Sequence, residues 1–188
     1  MVLKMNYILT LTGPSGIGKT YIKRKIKEKF GLSEPPVYTT RPLREISEIN
    51  ERIYLSENEF KKMEKNGEFL FVNEIFGYKY GLKKIDLIEI NSDKILELYI
   101  DNVDQFRKLH PQADMIALLP VSLEFLEKRL EKRDGNKEED TIRLKNAEKE
   151  IKLIKMKREI FNLIYIVDSE SEKNIVSYML EYVKGKLK

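Results

Sequence analysis

The apolar run Tyr7-Ile8-Leu9-Thr10-Leu11-Thr12 passes directly into Gly13-Pro14-Ser15-Gly16-Ile17-Gly18-Lys19-Thr20, and no other stretch constrains the fold of this chain as tightly. A short apolar run that ends at a glycine reads as a strand buried in a parallel sheet. Beyond the glycines, Ile22, Ile26 and Phe30 recur at i, i+4 and i+8, which predicts an amphipathic helix over Tyr21 to Phe30, ended by Gly31. A strand, a loop with the spacing G-x-x-x-x-G-K-T and a helix form the context in which that pattern cradles phosphate. The glycines let the backbone turn its N–H groups onto phosphate oxygens, and the helix aims its positive end at them. In this reading Gly13 through Thr20 hold a nucleoside triphosphate, Lys19 reaches the β and γ phosphates, and the Thr20 hydroxyl helps hold Mg2+. A guanine-reading Asn-Lys-x-Asp motif is absent from the chain, which argues against a GTPase.

A chain of 188 residues makes one α/β-sized domain with room for a small inserted flap. With 41% hydrophobic and 35% charged residues it falls outside the disordered and membrane classes. Lys and Arg number 35 against 31 Asp and Glu, and a surplus of +4 is too small to argue for nucleic acid; it reads as a solvated basic surface or, if concentrated locally, suits a phosphate-bearing small molecule. With no cysteine, disulfides, thiolate metal sites and a Cys nucleophile are excluded, and the lone His110 excludes a histidine cluster and reads as a structural or surface residue. No segment has the apolar length of a membrane helix, and Met1 to Met5 leave no room for a leader before the first strand, so the expected location is the cytoplasm.

Strands and helices alternate along most of the chain. Ile95 to Ile100 reads as a strand ending at Asp101, Val103 to Leu109 as a helix, and Met115 to Leu119 as a strand. Ser122 caps a helix whose stripe is Leu123, Leu126 and Leu130. Asp134 to Asp140, with Gly135 and no apolar residue, reads as a mobile loop before a long helix from Thr141 to Phe161. Leu163 to Val167 is a strand, and Ser169 with Glu172 caps a last helix. This alternation implies a mainly parallel sheet covered on both faces, with ligands outside the carboxyl ends of its strands. Residues 37 to 82 differ: Val37 to Arg41 and Glu68 to Ile75 read as strands, Ser56-x-x-Glu59 as a capping box, and Gly77 as a turn. That segment reads as a substrate flap.

Thr39-Thr40-Arg41-Pro42-Leu43-Arg44, combined with the Gly-rich loop, resembles the guanylate kinase family. Tyr80-Gly81, Leu98-Tyr99-Ile100-Asp101, the run Lys128 to Arg133 and Arg143-Leu144 follow in the family's order, collinear from about Leu9 to Val183. The resemblance implies a P-loop three-layer α/β fold with a mainly parallel sheet, a small mixed β insert for the acceptor and a helical lid. Its core would be residues 1–36, 83–128 and 145–188, its acceptor insert 37–82 and its lid 129–144. The implied reaction moves the γ-phosphoryl group of ATP, with Mg2+, onto a nucleoside monophosphate, with GMP as the inherited acceptor. Lys19, Arg129, Arg133 and Arg143 are implied to act on the transferring group, and Arg41, Arg44, Tyr54, Tyr80 and Asp101 to hold the acceptor, Asp101 also fitting Mg2+-water ordering. Implied partners are small nucleotides, with neither nucleic acid nor membrane and with the oligomeric state open.

The sequence departs from the family's pattern at the acceptor base. Phe71 stands where the family has a base-reading Glu, Leu82 where it has a hydroxyl after Tyr-Gly, and Val37 where it has a Ser. Two alternatives therefore stand beside the nucleotide kinase. One is a kinase of a phosphorylated sugar, such as a ribose bisphosphate phosphokinase, which has no base to read. The other is a non-catalytic interaction module, against which the presence of Lys19 and the lid arginines argues.

Overall fold

The computed structural model describes residues 6–43, 52–88, 91–132 and 137–187. In chain order the elements are β1 (Ile8–Thr12), α1 (Lys19–Phe30), β2 (Val37–Thr39), β3 (Arg52–Tyr54), α2 (Glu57–Lys65), β4 (Phe69–Ile75), β5 (Tyr78–Lys83) and α3 (Lys84–Ile88). Then follow β6 (Lys94–Glu97), α4 (Val103–Leu109), β7 (Asp114–Pro120), α5 (Leu123–Glu131), α6 (Lys137–Met156), β8 (Leu163–Val167) and α7 (Ser171–Lys186). The chain divides into two compact units, Met1–Ser33 with Asp93–Lys188, and Glu34–Ser92.

In the first unit the sheet order is β6-β1-β7-β8, with every neighbour parallel. All residues of β1 and β7 are buried, as central strands covered on both faces require. Leu9, Leu11, Ile116 and Leu118 meet Ile22 and Ile26 of α1, Leu126 and Leu130 of α5, and Ile175, Met179 and Val183 of α7. Only two residues of the lysine-rich α1 are buried, Ile22 and Ile26. Each contributes about 2 kcal/mol by leaving water, so this stripe and not helix propensity anchors α1. At the amino ends of the strands, Asp114 accepts from the phenols of Tyr7 (3.0 Å) and Tyr182 (2.8 Å). Arg107 ties the segment before β7 to the one before β8 by donating to the carbonyls of Pro111, Ala113 and Ile160 and to Oδ1 of Asn162. His110, buried beside the Phe106 ring, is structural here.

The second unit is a mixed sheet in the order β3-β2-β5-β4. β2 pairs parallel with β3 and antiparallel with β5, and β4 and β5 form a hairpin. The hairpin turns at Phe76 and Gly77, with φ of 54° and 75°, as a two-residue loop matched to strand twist requires. Ser56 and Glu59 make both hydrogen bonds of the capping box and start α2. Phe60 of α2 stacks on Phe69 at 4.6 Å, and a Cβ on Gly81 would stand 2.6 Å from the Phe69 ring, so only glycine fits beneath it.

Several local expectations are corrected. β6 ends at Glu97 rather than running to Ile100, because the backbone turns at Tyr99, whose carbonyl accepts from Asn102 N–H, and Asp101 lies in a 3₁₀ turn. Leu123 is exposed, leaving Leu126 and Leu130 as the buried stripe of α5. Residues 137–140 are helical rather than loop, and α6 stops at Met156 before a separate 3₁₀ turn, Arg158–Ile160. The start of α7 is capped by Asp168, whose Oδ1 accepts from Glu170 and Ser171 N–H, and not by Ser169.

Candidate active site

Three glycines shape the loop between β1 and α1. Gly13, Gly16 and Gly18 have φ of 148°, 88° and 104°, which L side chains rarely adopt. A Cβ on Gly13 would lie 2.3 Å from the carbonyl oxygen of Leu118 in β7, and one on Gly16 would lie 2.7 Å from Cδ2 of Leu130. The loop is therefore pressed onto β7 on one side and α5 on the other, with Pro14 and Ile17 buried in it. Gly18 caps α1 without a side-chain hydrogen bond, and the first turn of α1 carries no acid, so the positive end of the helix has no carboxylate on its own first turn.

Lys19 folds back over this loop and donates to the carbonyls of Gly13 and Pro14. Arg129 of α5 donates from Nε to the Gly16 carbonyl at 3.0 Å, with its guanidinium over the Phe125 ring. Thr20 donates its hydroxyl hydrogen to Oε1 of Glu97 at 2.8 Å, and the same carboxylate pairs with Lys23 at 3.1 Å. Burial alone would raise the Glu97 carboxyl, but Lys23, Lys19 and the Thr20 hydroxyl together lower it to about 2. Glu150 of α6 is raised instead, chiefly by burial, with Lys19 opposing and Asp101 reinforcing the shift. Lys19, Glu97, Glu150 and Asp101 thus share one electrostatic neighbourhood outside the carboxyl ends of β1 and β6.

Arg143 of α6 donates from Nη1 to Oδ1 of Asp140 at 2.9 Å, with both side chains buried. Arg133 lies outside the described residues, as does Arg44. Among the described residues no group of three or more acidic or histidine side chains forms a ready-made metal cage.

The insert unit carries its own cluster. Thr39 and Thr40 tie the end of β2 to β5: Thr39 Oγ1 donates to the Lys79 carbonyl and Lys79 N–H donates to Thr40 Oγ1. Arg41, buried, follows, its N–H donating to Thr39 Oγ1. In register, Thr39 lies opposite Tyr54 and Tyr80, and Tyr80 opposite Asn73, so these four share one face. The guanidinium of Arg52 stands 5.6 Å from the centre of the Tyr80 ring. The next row on that face is Arg52, Val37, Leu82 and Phe71. Asp101, grouped with the acceptor residues on sequence, belongs to the core unit with Lys19 and Glu150.

Glu97, Glu150 and Asp140 were not legible as site residues. Glu97 carries a usable signal, a carboxylate near the end of a strand before a helix, which is hidden when the strand is read as running on to Asp101. Glu150 and Asp140 look like ordinary members of a charged helix or loop.

A parallel sheet with a Gly-rich loop, its lysine and a hydroxyl at the start of the following helix defines a P-loop nucleotide-binding protein. The family model for guanylate kinase matches residues 5–183. Guanylate kinase of Nitrosomonas europaea is 34% identical over 140 residues, covering 71% of this chain and 70% of the relative. That of Thermosynechococcus vestitus is 35% identical over 151 residues (77% and 78% covered), and that of Clostridioides difficile 34% over 163 residues (82% and 78%). The crystal structure of guanylate kinase from Anaplasma phagocytophilum has the same fold, with a TM-score of 0.70 at 20% identity over 99% of this chain and 88% of that one. The chain belongs to the guanylate kinase family.

Proposed function

We propose that this protein transfers the γ-phosphoryl group of ATP to the phosphate of GMP, giving ADP and GDP. The observation that carries the donor half is the loop itself: three glycines that admit no Cβ without strain, a helix start without an acid, and Lys19 folded over the loop. Family membership carries the acceptor half. The enzyme is a phosphotransferase whose donor is ATP with Mg2+.

Thr20 fits the metal, because its only hydrogen goes to Glu97 and its oxygen keeps lone pairs for a cation. Mg2+ supplies charge neutralisation at the β- and γ-phosphate oxygens when bound. Phosphoryl transfer passes through a loose transition state, so placement and positive charge supply most of the catalysis. In this reading Gly13 to Thr20 cradle the donor phosphates and Lys19, Arg129, Arg133 and Arg143 balance the charge on the transferring group. Arg41, Arg44, Tyr54 and Tyr80 grip the acceptor phosphate, the arginine forks suiting bidentate contact. Asp101 would help order the acceptor or the surroundings of the Mg2+ ion. In this reading the core is 1–36, 83–128 and 145–188, the acceptor insert 37–82 and the lid 129–144, the insert lying within the compact unit Glu34–Ser92. Substrates of this kind place the enzyme in the cytoplasm; among the described residues no helix is long and apolar enough to cross a membrane.

The test is Mg2+- and ATP-dependent ADP release with GMP, AMP, UMP, CMP, ribose 1,5-bisphosphate and no acceptor. GMP-dependent release, lost by about 10²-fold or more in Lys19→Ala, is the expected result. Release with the sugar bisphosphate alone, or with no acceptor at all, overturns the reading.

A further inference from the structure

α6 buries Asp140, Arg143, Ala147 and Ile154 and half-buries Glu150, a spacing that puts all five on one helix face. Ala147 on this face lies in the same buried cluster as Ile17 of the phosphate loop and Leu126 and Leu130 of α5, and the carboxyl of Glu150 feels the charge of Lys19, so this face is turned toward the phosphate loop. Arg143 is seven residues earlier on it, about 10 Å along the helix axis. Its Nη1 donates to Oδ1 of Asp140 at 2.9 Å, and only 9% and 12% of the two side chains is exposed.

We propose that Asp140 is a positioning residue for Arg143: its carboxylate fixes the plane of the guanidinium that acts on the transferring phosphoryl group. This rests on the phosphoryl-transfer reading of Arg143 given above.

Side chains on a helix lean toward its amino end, so Arg143 projects over the turn that holds Asp140, and the pair forms without distorting α6. A guanidinium taken out of water needs a counter-charge, and a carboxylate three residues away on the same helix supplies it locally. The guanidinium is planar, so fixing one nitrogen fixes the directions of the remaining N–H bonds. An arginine held this way meets developing negative charge without reorganising. The long, flexible side chain would otherwise have to be ordered in the transition state, at the expense of turnover more than of substrate affinity.

The test is steady-state kinetics of Asp140→Asn, Arg143→Ala and the double variant, with thermal melting of each. Asp140→Asn keeps the shape and removes the charge. The expected result is a fall in kcat of about tenfold with KM for ATP and GMP within about twofold, the KM-against-kcat split a merely structural role would not give. Arg143→Ala should cost more, and adding Asp140→Asn to it should cost nothing further. Asp140→Glu should recover part of the loss. Full or raised turnover in Asp140→Asn, or additive losses in the double variant, overturns the proposal. If Arg143→Ala keeps full turnover, the role given to Arg143 fails and the positioning role with it. If Arg143→Ala loses turnover while Asp140→Asn keeps it, only the positioning role fails. Should Asp140→Asn not fold, nitrogen-15 and carbon-13 spectra of the arginine side chains in the unaltered protein decide. A guanidinium of Arg143 that stays rotationally restrained with and without a non-hydrolysable ATP analogue supports the proposal, and free rotation with the analogue overturns it.

Discussion

The Thr20 hydroxyl and the Glu97 carboxylate, 77 positions apart, meet at 2.8 Å beside the phosphate loop. A hydroxyl has one hydrogen, and giving it to Glu97 leaves Thr20 as an acceptor only, the state that suits a divalent cation. Glu97→Leu, which removes the acceptor, should therefore raise the Mg2+ concentration for half-maximal rate by about tenfold. Binding of metal-free ATP, followed by calorimetry, should change far less. An unaltered Mg2+ dependence in the variant would refute this coupling.

The loop glycines should tolerate substitution unequally. A Cβ at Gly13 meets the Leu118 backbone oxygen at 2.3 Å, which cannot move without disturbing β7, whereas at Gly16 it meets the end of the Leu130 side chain at 2.7 Å. Gly13→Ala is expected to cost about 3 kcal/mol and Gly16→Ala about 1–2 kcal/mol, both read from denaturant melts. Equal losses would contradict this.

Asp114 should make the protein sensitive to alkali. Burial, then the Asp114 charge, raises the Tyr7 phenol far above its ordinary 10.0, and burial, then the hydrogen bond to Asp114, raises Tyr182. Both folded-state values exceed the unfolded one, so the stabilisation is fully present below about pH 10 and is lost as pH climbs through the folded-state values. Each bond to the carboxylate contributes about 2 kcal/mol, so Tyr7→Phe with Tyr182→Phe should melt lower at pH 8. Between pH 10 and 12 the melting temperature of the unaltered protein should fall more steeply than that of the double variant. Parallel curves would show that the two phenols do not carry the effect.

Leu82 lies opposite Val37 on one side and Phe71 on the other, so the three apolar replacements of expected base-reading groups form one row across the insert sheet. A site that grips a base by hydrogen bonds discriminates by about 10⁴ or more, while an apolar surface gives about 10². The ratio of kcat/KM for GMP over AMP should therefore not exceed about 10². A ratio near 10⁴ would mean that groups such as Asn73, on the same face beside Tyr80, read the base instead.

Features set by neighbours in the chain were legible from the residues alone. The loop between β1 and α1, the Ser56–Glu59 capping box and the turn at Gly77 each depend on conformations and hydrogen bonds within a few positions. The order of motifs carried the family and the alternation of elements carried the parallel sheet. What only the tertiary structure decided were meetings between distant segments: Thr20 with Glu97, and Gly13 against Leu118. Those follow from β1 lying between β6 and β7, a neighbour relation that no local pattern encodes. Asp140 was hidden for a related reason. A polar run with a glycine has the composition of a loop, and it is helical here from Lys137 because α6 buries Asp140 and Arg143 as a pair on the face that carries Ala147 and Ile154.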